Sequence, residues 1–149
     1  MSKIESSMEI KCLSKSPGQT KKLGEILAKE ILKEKKQKKA FVLGLKGDLG
    51  GGKTTFLQGF ARGLGIKEKI TSPTFIIMKK FSNFYHFDCY RIQKPKELLS
   101  LGFKEIISNP QNIVAIEWAE RVKKILPKEV LILTFEFINK RTREIVLKY

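Results

Sequence analysis

The chain has 149 residues, 42% hydrophobic and 30% charged, a composition that suits a single globular domain spanning 1–149. Its 30 lysines and arginines against 15 acidic residues give a formal charge of +15, which attracts RNA, acidic proteins or nucleotides at long range, although a solvated lysine-rich surface has the same sign. With 2 distant cysteines and 1 histidine, a disulfide framework, a thiolate zinc site and an imidazole-rich metal site are excluded, and Cys12 and Cys89 are expected to be buried, reduced thiols.

The opening MSKIESSMEIKC has neither a long apolar stretch nor an arginine-rich amphipathic pattern. No apolar run approaches the roughly 20 residues of a membrane span, so the expected location is the cytoplasm. MEIKCLS alternates as a strand does. In SPGQ, Ser16 has the character of an N-cap, Pro17 of a first helical residue and Gln19 of a capping-box partner. These predict a helix running to about Lys36, with Leu23, Ile26, Leu27 and Ile31 on one face. Ala40 to Leu45 then reads as a buried strand. After GDLGGGKTTF, residues Phe56, Leu57, Phe60, Ala61 and Leu64 recur at helical spacing, and Gly65 sits where a helix stops.

Between that strand and that helix, Gly47, four residues, and Gly52-Lys53-Thr54 satisfy the phosphate-loop pattern completely. A glycine-rich turn with a solvated lysine would fit the residue types alone, but strand, loop and helix follow in the order that a phosphate cradle needs. In such a cradle, main-chain N–H groups point at phosphate oxygens, and the helix N-terminus adds its partial positive charge. The candidate phosphate-binding residues are Leu49, Gly50, Gly51, Gly52, Lys53, Thr54 and Thr55. Lys53 is assigned to the β- and γ-phosphates and the Thr54 hydroxyl to Mg²⁺.

Further along, ITSPTF breaks the helical pattern at Pro73, and FIIMKKF and NFYHFDCYR read as two strands joined by a tight turn at SN. KPKELLSLGFKEIIS gives short helical pieces, NIVAIEW a buried strand, and AERVKKIL a helix closed by Pro127. EVLILTFEF and REIVLKY are predicted to be antiparallel strands joined by INKRT. The whole is an α/β sandwich with a mixed sheet, and the phosphate site is expected at the sheet's carboxyl edge.

A phosphate loop needs an acidic partner, usually at the end of a neighbouring apolar strand. Asp88 ends FYHFD and Glu117 ends IVAIE. Either can bind Mg²⁺, hold its water shell or orient an attacking water. Each also has a plainer reading: Asp88 as a strand-end carboxylate or ion pair with Arg91, Glu117 as a cap for the helix near Ala119. Thr71, Ser72 and Thr74 sit where a nucleotide-sensing switch would be placed, and a Ser-Pro turn fits them equally. Trp118 either shields a nucleotide or packs, and His86, alternating with Tyr85 and Phe87, reads as a structural strand histidine.

Taken in order, GDLGGGKTTF, GLG, TSPTF, YHFDCYR, ELLSLGFKE, IEWAERV and LP resemble the bacterial TsaE (YjeE) family of tRNA threonylcarbamoyladenosine biosynthesis ATPases. The resemblance covers almost the whole chain and departs only at Gly51, where alanine is more usual. It implies a P-loop NTPase-like three-layer sandwich binding ATP and Mg²⁺, of low intrinsic activity, stimulated by two partner proteins, TsaB and TsaD. Transfer chemistry on tRNA then belongs to TsaD, and this chain supplies ATP hydrolysis. By motif position the resemblance gives Lys53 and Thr54 to phosphate and Mg²⁺, Asp88 and Glu117 to metal or water, Ser72 and Thr74 to a switch, and Trp118 to the nucleotide. Two other readings rank lower. A small-molecule kinase would need more than the arginines at 62, 91, 121, 141 and 143 and an evident lid, and an RNA-binding module would need an interleaved aromatic motif.

Overall fold

Strands covered on both faces read as unbroken apolar runs, and IVAIE and most of FVLGLKG are such runs. They form the centre of the sheet in the computed structural model, which describes residues 8–34, 38–47, 52–71 and 77–149. The elements in chain order are β1 (Glu9–Ser14), α1 (Pro17–Lys33), β2 (Phe41–Gly47), α2 (Lys53–Gly63), β3 (Met78–Phe81), β4 (Phe84–Asp88), α3 (Lys96–Leu99), α4 (Phe103–Ser108), β5 (Ile113–Glu117), a 3-10 segment (Ala119–Ile125), β6 (Leu131–Phe137) and β7 (Arg143–Lys148). The seven strands lie in the order β1-β7-β6-β2-β5-β4-β3. The inner strands β6, β2, β5 and β4 run parallel, while β1, β7 and β3 are joined antiparallel, so the sheet is mixed as predicted.

Two apolar layers sandwich it. α1 and α2 close one face around Leu43, Leu45, Phe60, Phe84, Leu133 and Phe135. α3, α4 and the 3-10 segment close the other around Val42, Phe87, Leu98, Phe103, Ile116 and Val122. The architecture is therefore a three-layer α/β sandwich.

Three local expectations are corrected. α1 stops at Lys33 rather than near Lys36, because Glu34 leaves helical geometry (φ −93°, ψ 42°) while its N–H still bonds to the carbonyls of Glu30 and Ile31. The face of α1 differs in part: Leu23, Leu27 and Ile31 pack against the core as expected, but Ile26 is 48% exposed, and the fully buried stripe is Thr20, Gly24 and Ala28. Small residues line this contact because α2 lies so close that a Cβ on Gly24 would collide with the main chain at Phe56 and Phe60. Finally, AERVKKI is 3-10 rather than α-helical and is kinked at Val122 (φ −126°). Ala119 and Val122 are both buried in the second apolar layer. The N-terminus of α1 follows prediction in part: Ser16 Oγ accepts from Gln19 N–H, but the Gln19 side chain caps Lys15 N–H rather than Ser16.

Candidate functional site

β2 ends at Gly47 with φ +132°, where a Cβ would strike the main-chain carbonyl of Phe135 on β6, so the first motif glycine is required sterically. At the far end of the loop Gly52 takes φ +100°, and α2 begins with the Phe56 N–H to Gly52 carbonyl bond at 2.9 Å. The loop thus starts α2 at the carboxyl edge of the sheet, where the unpaired amides of a helix's first turn and its dipole both favour an anion. Leu49, Gly50 and Gly51, like Ser72 and Thr74 of the predicted switch, lie outside the described residues; Thr71 is exposed.

A cleft at this edge brings together Gly52, Lys53, Thr54, Thr55, Glu117 and Trp118 from the predicted set. It adds residues that sequence reasoning missed: Ser16, Pro17 and Thr20 at the start of α1, and Lys140, Arg141 and Arg143 at the β6–β7 connection. The cations of INKRT were visible in the sequence. What was not visible is that the β1-β7-β6 order carries that hairpin, and the start of α1, to the phosphate loop.

Lys53 is only 5% exposed. Its Nζ donates to the Gly47 carbonyl at 2.6 Å and stands 3.8 Å from the centroid of the Trp118 ring, a cation–π contact. Trp118 holds that place through a left-handed backbone (φ +59°) directly after β5, with the Tyr90 ring 5.1 Å away.

The strand register sets the acidic residues side by side: Leu45, Glu117 and Asp88 are successive partners across β2, β5 and β4. Glu117 is 3% exposed and lines the cleft. His86 Nε2 lies 2.8 Å from Glu117 Oε2, a distance at which the Nε2–H tautomer of the ring donates to a carboxylate oxygen. Glu117 makes no side-chain cap for the segment that follows; Trp118 occupies that position. Asp88 Oδ1 accepts the Tyr90 N–H at 3.0 Å, an Asx turn that ends β4, and Asp88 does not share the lining of the cleft. Next to it, Cys89 is fully buried, and burial, followed by the Asp88 carboxylate, pushes its thiol up to about 12. This thiol stays protonated and is no nucleophile. Cys12 is half-buried rather than buried, and both cysteines are free.

Among the described residues no group of three His, Cys, Asp or Glu side chains could hold a metal ion by itself. The side-chain oxygens lining the cleft are those of Glu117 and the hydroxyls of Ser16, Thr20, Thr54 and Thr55. Such a hard, sparse donor set suits Mg²⁺, which is usually held by one or two carboxylates together with substrate phosphates.

A complete phosphate loop between a central parallel strand and its following helix, with carboxylates closing the next two strands, defines a P-loop NTPase-like α/β protein. The family model of threonylcarbamoyl adenosine biosynthesis protein TsaE matches residues 14–145, and the chain belongs to that family. It is 36% identical to the tRNA threonylcarbamoyladenosine biosynthesis protein TsaE of Bacillus subtilis over 92% of this chain and 84% of the relative. To the protein of the same name from Treponema pallidum it is 33% identical, over 93% and 99%. The crystal structure of Bacillus subtilis YdiB superposes with a TM-score of 0.75 at 32% identity, covering 97% of this chain and 88% of that one.

Proposed function

We propose that this chain is the ATP-binding and ATP-hydrolysing component of the machinery that makes N6-threonylcarbamoyladenosine in tRNA, working in the cytoplasm in a complex with TsaB and TsaD proteins. The observation that carries the reading is the meeting of the α2 N-terminus, Lys53, Thr54 and Glu117 in one cleft at the sheet edge. The names of the relatives supply the pathway. No helix among the described residues is long and apolar enough to cross a membrane.

The residues divide the work as follows. The amides from Leu49 to Thr55 take the β-phosphate. Lys53 exchanges the Gly47 carbonyl and the Trp118 face for β- and γ-phosphate oxygens, carrying its charge with it. The Thr54 hydroxyl and the Glu117 carboxylate, with Asp88 beside it, are the candidates for holding Mg²⁺ and its water shell. When bound, the ion offsets the charge that gathers on the transferred phosphoryl group. Glu117 or Asp88 orients the attacking water, and Ser72 and Thr74 sense the γ-phosphate. Trp118 covers the site. Transfer chemistry is left to TsaD, and tRNA is met through the complex.

The test is ATP turnover with and without the two partners. Wild type is expected to be slow alone and faster in the complex, and Lys53→Ala to lose at least about 100-fold in both, the scale of removing one preorganised group from a transition state. Turnover that ignores the substitution would remove Lys53, and with it the cleft, from the mechanism.

A further inference from the structure

His86 is 1% exposed, and its Nδ1 has no hydrogen-bond partner among the described residues. A side chain kept for packing alone gains nothing from a buried nitrogen without a partner, since burying a polar group uncompensated is unfavourable. The polar contact that can offset it is the one to Glu117. β4 and β5 are parallel, with His86 opposite Ala115 and Asp88 opposite Glu117, so the imidazole stands one step behind the two carboxylates on the same face of the sheet. From there Nε2 reaches forward to Oε2 at 2.8 Å. Glu117 is a three-torsion side chain lining a cleft, beside a lysine and a tryptophan, and among the described residues no other side-chain hydrogen bond sets its orientation.

We propose that His86 is a positioning residue for Glu117: its Nε2–H holds Oε2, fixes the carboxylate's rotamer and leaves Oε1 directed to the chemistry of the cleft. The inference rests on the nucleotide-site reading above and deepens it, because a buried donor behind a ligand carboxylate is how such ligands are oriented. The bare Nδ1 follows from the same arrangement. With the proton committed to Nε2, Nδ1 is a lone pair in an apolar layer, which is less unfavourable there than an unsatisfied N–H.

Two measurements test it. His86 is the only histidine in the chain, so one long-range ¹H–¹⁵N spectrum of labelled protein reads its tautomer without nucleotide and without overlap. A proton on Nε2, a bare Nδ1, and a shift of both nitrogens in Glu117→Ala are expected. A proton on Nδ1, or a spectrum indifferent to Glu117→Ala, overturns the proposal. The second measurement compares His86→Phe, which fills the space without a donor, with His86→Gln, which restores an N–H at similar reach, using Trp118 emission to follow ATP uptake. His86→Phe is expected to raise the Mg²⁺ concentration for half-maximal response about tenfold while ATP uptake in EDTA is unchanged, and His86→Gln to return to within about threefold of wild type. If Phe matches wild type, or Gln is as poor as Phe, the donor does not position the carboxylate and the proposal fails. Wild-type protein with the expected tautomer but no magnesium-assisted ATP response would sink the nucleotide reading and this inference with it, and the spectrum separates that outcome from a missing His86–Glu117 contact.

Discussion

The contacts of Lys53 that a triphosphate would have to replace include the Gly47 carbonyl and the Trp118 ring. A buried cation–π contact contributes about 2 kcal/mol, on the scale of one charge-assisted bond to a phosphate, so a bound triphosphate is expected to draw Lys53 away from the ring. Trp118 is the only tryptophan, which makes the exchange visible. Its emission is expected to change on adding Mg·ATP to wild type. In Lys53→Ala it is expected to start from a different level and to stay flat, and a full ATP response in that variant would show that Lys53 does not leave the ring for the phosphates. Cys89 carries the other prediction tied to a single side chain. Its thiol is raised from the ordinary value to about 12, mainly by burial. The folded form therefore favours the protonated thiol, and that contribution is complete below about pH 9 and is lost as pH rises toward 12, at most about 1.4 kcal/mol per pH unit. Thermal melts of wild type and Cys89→Ala are expected to converge above pH 9. A constant gap from pH 7 to 11 would show that the thiol does not titrate with unfolding. Below that range an alkylating reagent should label Cys12 in the folded protein and spare Cys89, whose sulfur is out of reach.

The pairing of α1 with α2 is where packing overrules the sequence pattern. Periodicity marks Leu23, Ile26, Leu27 and Ile31, and all but Ile26 do pack on the core, yet the buried seam is Thr20, Gly24 and Ala28, because two helices that approach this closely select for small side chains rather than large apolar ones. Gly24→Ala would push a methyl into the Phe56–Phe60 main chain, and Gly59→Ala would do the same against Lys21. Each is expected to destabilise the protein by about 1–3 kcal/mol in urea titrations, as overpacked cores do. Gly18→Ala is the control, since its Cβ meets only Ser16 Oγ at 3.7 Å. Relieving glycine there should stabilise by about 0.4–1 kcal/mol. If Gly24→Ala proves as benign as Gly18→Ala, the close seam is wrong. This contrast also says what was legible. The strand and helix on either side of the phosphate-loop motif, the carboxylates ending β4 and β5, and the hairpins are local patterns, and local sequence predicted them. The helix seam, the 3-10 geometry after Trp118, the His86–Glu117 bond and the arrival of the β6–β7 hairpin at the cleft depend on which elements become neighbours. No window of the sequence contains that information.

The formal charge of +15 acts over the entire surface, whereas the cleft acts at one place, and salt separates the two. Exposed lysines such as Lys29, Lys33, Lys38 and Lys39 do not line the cleft, and their charges are screened beyond roughly 10 Å at 0.1 M salt. Their attraction for RNA comes from counterion release, which falls by about 10³-fold or more between 50 and 200 mM salt if six or more phosphates are neutralised. On the proposed reading, nucleotide in the cleft would be held instead by main-chain amides and by Lys53, which is 5% exposed, contacts that salt weakens little. The isolated chain should therefore bind tRNA and an unrelated RNA of equal length alike at low salt, and neither near physiological salt. Its ATP affinity, titrated in the same buffers, should change only a few-fold. Selective tRNA binding that survives 200 mM salt would mean that this surface itself reads RNA, and the assignment of tRNA contact to the assembled complex would have to be withdrawn.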